Sequence, residues 1–172
     1  RQLNFLNRWE YDPNDLLHLQ FGVEVLDENR IGGQLEYEGK NESPEDVYGI
    51  DIDISKLRLF AKLGYAFPNK PYQSLGWINS FTLFDQKSMF GLRNYNGEAS
   101  SYYSNLIFQT IIDNTNHKIS SGLSFQYDDY TEYFIDNNYE RREVVPGIFS
   151  QYTWSIPEKS VFMAGMRLDY NS

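Results

Sequence analysis

Apolar side chains occupy every second position over several stretches of this chain, and polar ones fill the places between. The clearest case runs from about Leu16 to Leu26, where Leu17, Leu19, Phe21, Val23 and Val25 alternate with His18, Gln20, Gly22 and Glu24. A period of two puts one set on each side of a pleated strand, so this segment predicts a strand with one apolar and one polar face. From about Ile52 to Phe67, Leu57, Leu59, Ala61, Leu63, Tyr65 and Phe67 share a face opposite Arg58 and Lys62. From about Ser74 to Phe84, Leu75, Trp77, Phe81 and Leu83 alternate with Ser74, Gly76, Ser80 and Thr82. His117 to Tyr127 sets Ile119, Leu123, Phe125 and Tyr127 against Lys118, Ser120, Gly122, Ser124 and Gln126. A last segment sets Phe162, Ala164, Met166, Leu168 and Tyr170 against Gly165, Arg167 and Asp169. Further strands are predicted over about Leu3 to Tyr11 and about Val144 to Trp154. A strand over about Tyr102 to Ile112 is apolar on both sides, which leaves its facing open.

Short turns rich in Pro, Asn and Asp separate some of these strands: Asp12-Pro13-Asn14-Asp15, Pro68-Asn69-Lys70-Pro71, Asp113-Asn114-Thr115-Asn116 and Ile156-Pro157-Glu158-Lys159. The other connections, Asp27 to Gly49, Asp85 to Ser101 and Asp128 to Glu143, are long and polar and read as large loops. The expected fold is therefore all-β, an antiparallel up-and-down meander of about eight strands. Each is roughly ten residues long, the length that crosses a bilayer when tilted near 45°. Short connections at one end and long ones at the other are the habit of outer-membrane β-barrels, in which the apolar face meets lipid and the polar face a wet lumen. A soluble sandwich shows the same period but has no reason to keep that asymmetry. Aromatic residues fit the barrel: Trp9, Tyr11, Tyr65, Phe67, Trp77, Tyr152, Trp154 and Phe162 flank short turns as one interfacial girdle, and Tyr102, Tyr127 and Tyr170 suit the other.

Composition narrows the classes. In 172 residues, 17% of them aromatic, there is no run of about 18 apolar residues that would make a spanning helix. A low mean hydropathy is compatible with a barrel, which puts only alternate residues into lipid. The net charge of -9 and the lack of a basic stripe argue against nucleic acid as a partner. Without cysteine there is neither a disulfide framework nor a thiolate zinc site. No Gly/Ser-rich or Pro-rich linker divides the chain, so residues 1–172 are expected to form a single β-barrel segment. Arg1 is not an initiator Met and no charged-then-apolar leader follows it, so a piece cut from a longer protein is expected.

The runs Asn7-Arg8-Trp9, Phe21-Gly22-Val23, Gly32-Gly33-Gln34, Gly91-Leu92-Arg93-Asn94-Tyr95-Asn96-Gly97, His117-Lys118 through Gly122-Leu123-Ser124, and Ala164-Gly165-Met166-Arg167-Leu168-Asp169-Tyr170 carry a likeness over nearly the whole chain. In them the chain resembles TonB-dependent outer-membrane receptors, those of Bacteroidetes most of all. The motifs are barrel-wall patterns rather than catalytic signatures. The resemblance implies a barrel of about 22 strands plugged by an N-terminal domain, of which this chain is a middle portion. It also implies outer-membrane localisation in a Gram-negative bacterium, lipid and a small-molecule substrate as partners, and TonB as a partner through a plug absent from this chain. The implied function is uptake of a scarce nutrient: a ferric chelate such as a siderophore, a vitamin or a glycan. Two alternatives stay open: a complete eight-stranded barrel with a structural or adhesive role, and a soluble sandwich or lipocalin-like binding module.

Little in the chain suggests an enzyme. His18 and His117 are far apart with no metal-ligand spacing, and Ser124 and Ser155 lack a nucleophile-elbow context. No cofactor and no metal site are expected. The acidic pairs Glu36/Glu38, Asp51/Asp53 and Asp128/Asp129 offer oxygen ligands for a hard cation or a paired acid and base, but they read first as solvated charges. Ligand contact is expected from two loop clusters, Arg93, Asn94 and Tyr95 in one, and Tyr130, Tyr133, Asn137, Asn138 and Tyr139 in the other. A basic and aromatic set of this kind suits an anionic iron chelate. Arg167 and Asp169 share a strand face and are candidates for a wall-to-plug contact, or equally for a structural pair. A cut sheet has two unpaired edges, so an isolated fragment is expected to close on itself or to self-associate.

Overall fold

The computed structural model describes residues 1–37, 39 and 47–172. They form β1 (Gln2–Asn14), β2 (Leu17–Gly33), β3 (Gly49–Phe67), β4 (Lys70–Phe90), β5 (Arg93–Ile111), β6 (His117–Phe134), β7 (Asn137–Ile156) and β8 (Ser160–Asp169), with no helix among the described residues. The eight strands make one sheet in chain order, each antiparallel to the next. β1 and β8 do not pair with each other, so the sheet is open at both edges.

The register joins the alternating segments into continuous stripes. Tyr11, Leu19, Leu63, Trp77, Leu106, Leu123, Ile148 and Leu168 follow one another across the sheet as direct partners. Because partners in a ladder share a face, this row lies on one side throughout. One position along each strand, Glu10, Gln20, Lys62, Ile78, Asn105, Ser124, Gly147 and Asp169 form a mostly polar row on the other side. This settles β5: Tyr102, Ser104, Leu106 and Phe108 belong to the apolar face, and Tyr103, Asn105, Ile107 and Gln109 to the polar one.

The apolar side is the open side. Phe21 is 50% exposed, Trp77 45%, Leu123 57% and Ile148 55%, whereas Gln20, Ser124 and Asp128 on the polar side are at 9%, 5% and 3%. Among the described residues, Tyr37 is the one buried hydrophobic side chain. A soluble sandwich would bury its apolar rows against a second sheet, and the described residues form one sheet. That expectation is set aside.

The apolar stripe ends abruptly. Beyond Phe5, Val25, Leu57, Leu83, Tyr102, Tyr127 and Val144 the same face carries Asp27, Ser55, Asp85, Glu98, Thr131 and Glu140, again as direct partners. At the other end the boundary steps from Tyr11 and Leu17 near β1 down to Trp154 and Phe162 near β8, as it must when strands cross a flat layer at a tilt. About nine to eleven residues of each of β2 to β8 lie within the band, and seven of β1. At about 3.3 Å per residue and a tilt near 40°, that is a height of about 25 Å.

The three long polar connections are not the loops the sequence led us to expect. β4 and β5 continue past the band to a turn at Gly91-Leu92, and β6 and β7 to a turn at Ile135-Asp136. β2 likewise runs on to Gly33, and only part of the Asp27 to Gly49 segment is outside a strand. The hairpin at Ile135-Asp136 has φ of 45° and 61°, a left-handed two-residue turn that normally takes Asn-Gly. With a β-branched residue there instead, the turn left no signature. At the opposite end the connections are short as predicted, although the first turn falls at Asp15-Leu16, with Asp12 to Asn14 inside β1. Asn14 Oδ1 accepts the backbone N–H of Leu16 at 2.9 Å and of Leu17 at 3.0 Å, and Asn114 Oδ1 that of Asn116 at 2.9 Å.

Glycines collect on the polar face, where aromatic rings lie over two of them. A Cβ on Gly22 would sit 2.4 Å from the Phe60 ring, and one on Gly122 2.5 Å from the Phe149 ring and 2.2 Å from the Leu106 carbonyl oxygen.

Candidate functional site

Where β5, β6 and β7 rise beyond the apolar band, their polar face carries three successive rows: Ala99, Tyr130 and Arg141; Gly97, Glu132 and Tyr139; Tyr95, Phe134 and Asn137. Regular strand pairing sets the direction in which these side chains leave the sheet, so the site is a sheet surface rather than a set of loops. Tyr95 folds back over Gly97, with its hydroxyl 2.9 Å from where a Cβ would be, and meets Phe134 edge to face at 6.4 Å. Burial in this stack, together with the charge of Glu132 and a hydrogen bond to it, raises the Tyr95 phenol above its ordinary pKa. The Arg141 guanidinium lies over the Tyr130 ring at 4.8 Å and 3.3 Å from Glu143. Tyr139 and Phe134 stay open, at 57% and 39% exposure.

The eight residues expected to meet a ligand therefore divide. Arg93, Tyr95, Tyr130 and Tyr139 share the polar face, Arg93 beside the Gly91-Leu92 turn. Asn94 and Tyr133 lie on the opposite side, the latter donating its hydroxyl to Asp136 at 2.9 Å, which raises its pKa. Asn138 is also on that opposite side, and Asn137 joins the polar face. Sequence reasoning missed Glu132, Phe134 and Arg141. Continuing the alternation of β6 past Tyr127 would have found the first two.

Lower on the polar face, Arg167 is bound into the wall. Its Nε donates to both Asp169 oxygens at 2.9 and 2.7 Å, and an Nη donates across β7 to Ser124 Oγ at 2.9 Å. The crossing needs Gly147, whose Cβ would fall 2.1 Å from Asp169 and 2.6 Å from Ser124. Next to Ser124, Asn105 Oδ1 is buried with no hydrogen-bond partner.

One of the acidic pairs separates too. Asp128 and Asp129 point to opposite faces: Asp128 accepts from Gln126 at 2.6 Å, and Asp129 pairs with Arg142 at 3.0 Å outside the band. That bond makes the Arg142 guanidinium hold its proton more tightly than usual. Asp51 and Asp53 do share a face, where Asn29 Nδ2 donates to both, at 3.2 and 2.5 Å. Glu36 stands in the turn after β2, and Glu38 lies outside the described residues. His18 sits beside Asp12 and His117 beside Tyr152, each at 2.5 Å and both near the short turns. No group of three or more potential metal ligands occurs among the described residues.

No family model matches this sequence, and no curated protein matches it. Among solved structures the chain is similar in fold to the alcaligin outer membrane receptor FauA from Bordetella pertussis. The TM-score is 0.74 at 15% sequence identity, and the match covers 99% of this chain and 30% of the receptor. The eight-stranded meander thus has the fold of a stretch of outer-membrane receptor barrel, and it spans 30% of that receptor's length.

Proposed function

We propose that this chain is part of the barrel wall of a TonB-dependent outer-membrane transporter that takes up a scarce nutrient: a ferric chelate, a vitamin or a glycan. One observation carries it. The apolar rows form an exposed band about 25 Å tall on one side of an open sheet, with polar and charged side chains opposite and above. An alkane-like layer of that height is the surrounding that stabilises such a band, since in water a patch this large drives association. The likeness of fold to an outer membrane receptor supports the same function. On this proposal the wall touches lipid outside and a pore inside, the nutrient meets the mouth above the band, and TonB acts through a plug carried by another part of a longer protein. The residues here hold and position; none performs bond chemistry. A complete eight-stranded barrel is the weaker choice, because closure requires β1 to pair with β8 and the two edges stay apart.

The test uses the full-length protein in isolated outer membranes. The chain has no cysteine, so single cysteines are introduced along β3 and β6 and labelled with a nitroxide. Collision with oxygen, which concentrates in lipid, should peak at positions 59, 61, 63, 121, 123 and 125 and drop at each intervening residue. Accessibility to a water-soluble nickel chelate should show the opposite phase. An absence of alternation would overturn the assignment of the apolar face to lipid.

A further inference from the structure

We propose that the polar-face cluster on β5–β7 meets a neutral carbohydrate ring, not an anionic metal chelate; this deepens the importer function above and depends on it. A sugar presents a C–H face that stacks on aromatic rings and hydroxyls that donate to carboxylates and amides around its edge. The mouth offers both. Phe134 and Tyr139 are open rings on neighbouring rows, and Glu132 and Asn137 are their direct strand partners across β6 and β7. Tyr95 backs Phe134 edge to face and so fixes the plane of that platform.

The charges point the same way. On β5–β7 above the band, this face carries Asp128, Glu132 and Glu143 against Arg93 and Arg141, while Lys56, Glu28 and Arg30 stand farther along the same rows on β3 and β2. Arg141 is already held by Tyr130 and Glu143, and Glu132 lies one row from it. An anion would have to displace those contacts and approach carboxylates, which costs affinity by like-charge repulsion. A neutral polyol pays no such cost and uses the carboxylate as an acceptor. Beside the basic and aromatic residues expected from the sequence, the three-dimensional cluster holds Glu132 directly against Tyr139.

The experiment titrates the detergent-solubilised full-length protein by calorimetry with maltoheptaose, cellohexaose and xylohexaose as neutral probes and ferric citrate as the anionic one. Binding of at least one oligosaccharide is expected, weakened about three- to tenfold by Tyr139→Ala or Phe134→Ala, the range of one lost aromatic contact. Glu132→Gln should weaken it as well, and Thr131→Ala, on the opposite face, should leave it unchanged. Binding of ferric citrate with no oligosaccharide bound overturns the carbohydrate assignment while leaving the importer intact. Oligosaccharide binding insensitive to the polar-face variants, or no binding of any probe, overturns it equally. Absence of the protein from the outer membrane overturns both.

Discussion

Replacing Leu123 by arginine puts a charge at the centre of the apolar band. Leu123 lies between Leu106 and Ile148, four residues from Tyr127 above and four from Ile119 below. At about 3.4 Å per residue and a tilt near 40°, each boundary is about 10 Å away. If that band lies in lipid, as proposed, a guanidinium reaches neither headgroup layer without distorting the strand or the bilayer. Arginine at the midplane of such barrels costs about 2–4 kcal/mol, falling to about 0–1 kcal/mol near the interfaces. That range corresponds to about a 30- to 700-fold loss in the folding equilibrium. Thr131→Arg is the internal control, since Thr131 shares the face of Leu123 but stands beyond the band, between Glu98 and Glu140. The measurement is reversible unfolding of the full-length protein in phospholipid vesicles, titrated with urea. If the face met water, an arginine at a position already 57% exposed would cost almost nothing. Equal stabilities for the two variants would therefore refute the lipid assignment.

Three further outcomes follow from the geometry. Gly122→Ala should destabilise by about 1–3 kcal/mol, because its Cβ meets the Leu106 carbonyl and the Phe149 ring; Gly64→Ala, whose Cβ would sit 3.7 Å from His18, should be within about 0.5 kcal/mol of the parent in the same urea titration. Ile135→Asn should stabilise by about 1 kcal/mol, since asparagine tolerates the left-handed backbone that isoleucine resists, and an unchanged or lower urea midpoint would count against a left-handed turn. Tyr95 ionises above its ordinary value, so the neutral phenol contributes stability that is complete below about pH 10 and lost as pH rises through the higher folded-state pKa. In the ultraviolet tyrosinate difference between the parent and Tyr95→Phe, Glu132→Gln should move that titration down, and no movement would show that Glu132 does not act on it.

The sequence by itself determined the strand faces and the band. Once Leu17 to Val25 alternate with His18 to Glu24, side-chain direction follows from covalent geometry, with no knowledge of neighbours. The Pro, Asn and Asp turns at the short end were legible for the same local reason. The hairpin tips at the far end were not. Ile135-Asp136 lacks the usual turn pairs, Gly91-Leu92 carries only the single Gly of a two-residue turn, and a strand polar on both sides has no apolar face to announce it, so strand extensions resembled loops. Only pairing between distant segments could assign β5, whose two faces are similar in polarity, or show that Tyr133 and Tyr139 turn to opposite sides. Pairing alone also brought Glu132 and Phe134 beside Tyr95 and Tyr139, and carried Arg167 across Gly147 to Ser124. The physical reason is one of range: alternation is written within a few residues, whereas register is a sum over whole ladders that a single segment does not contain.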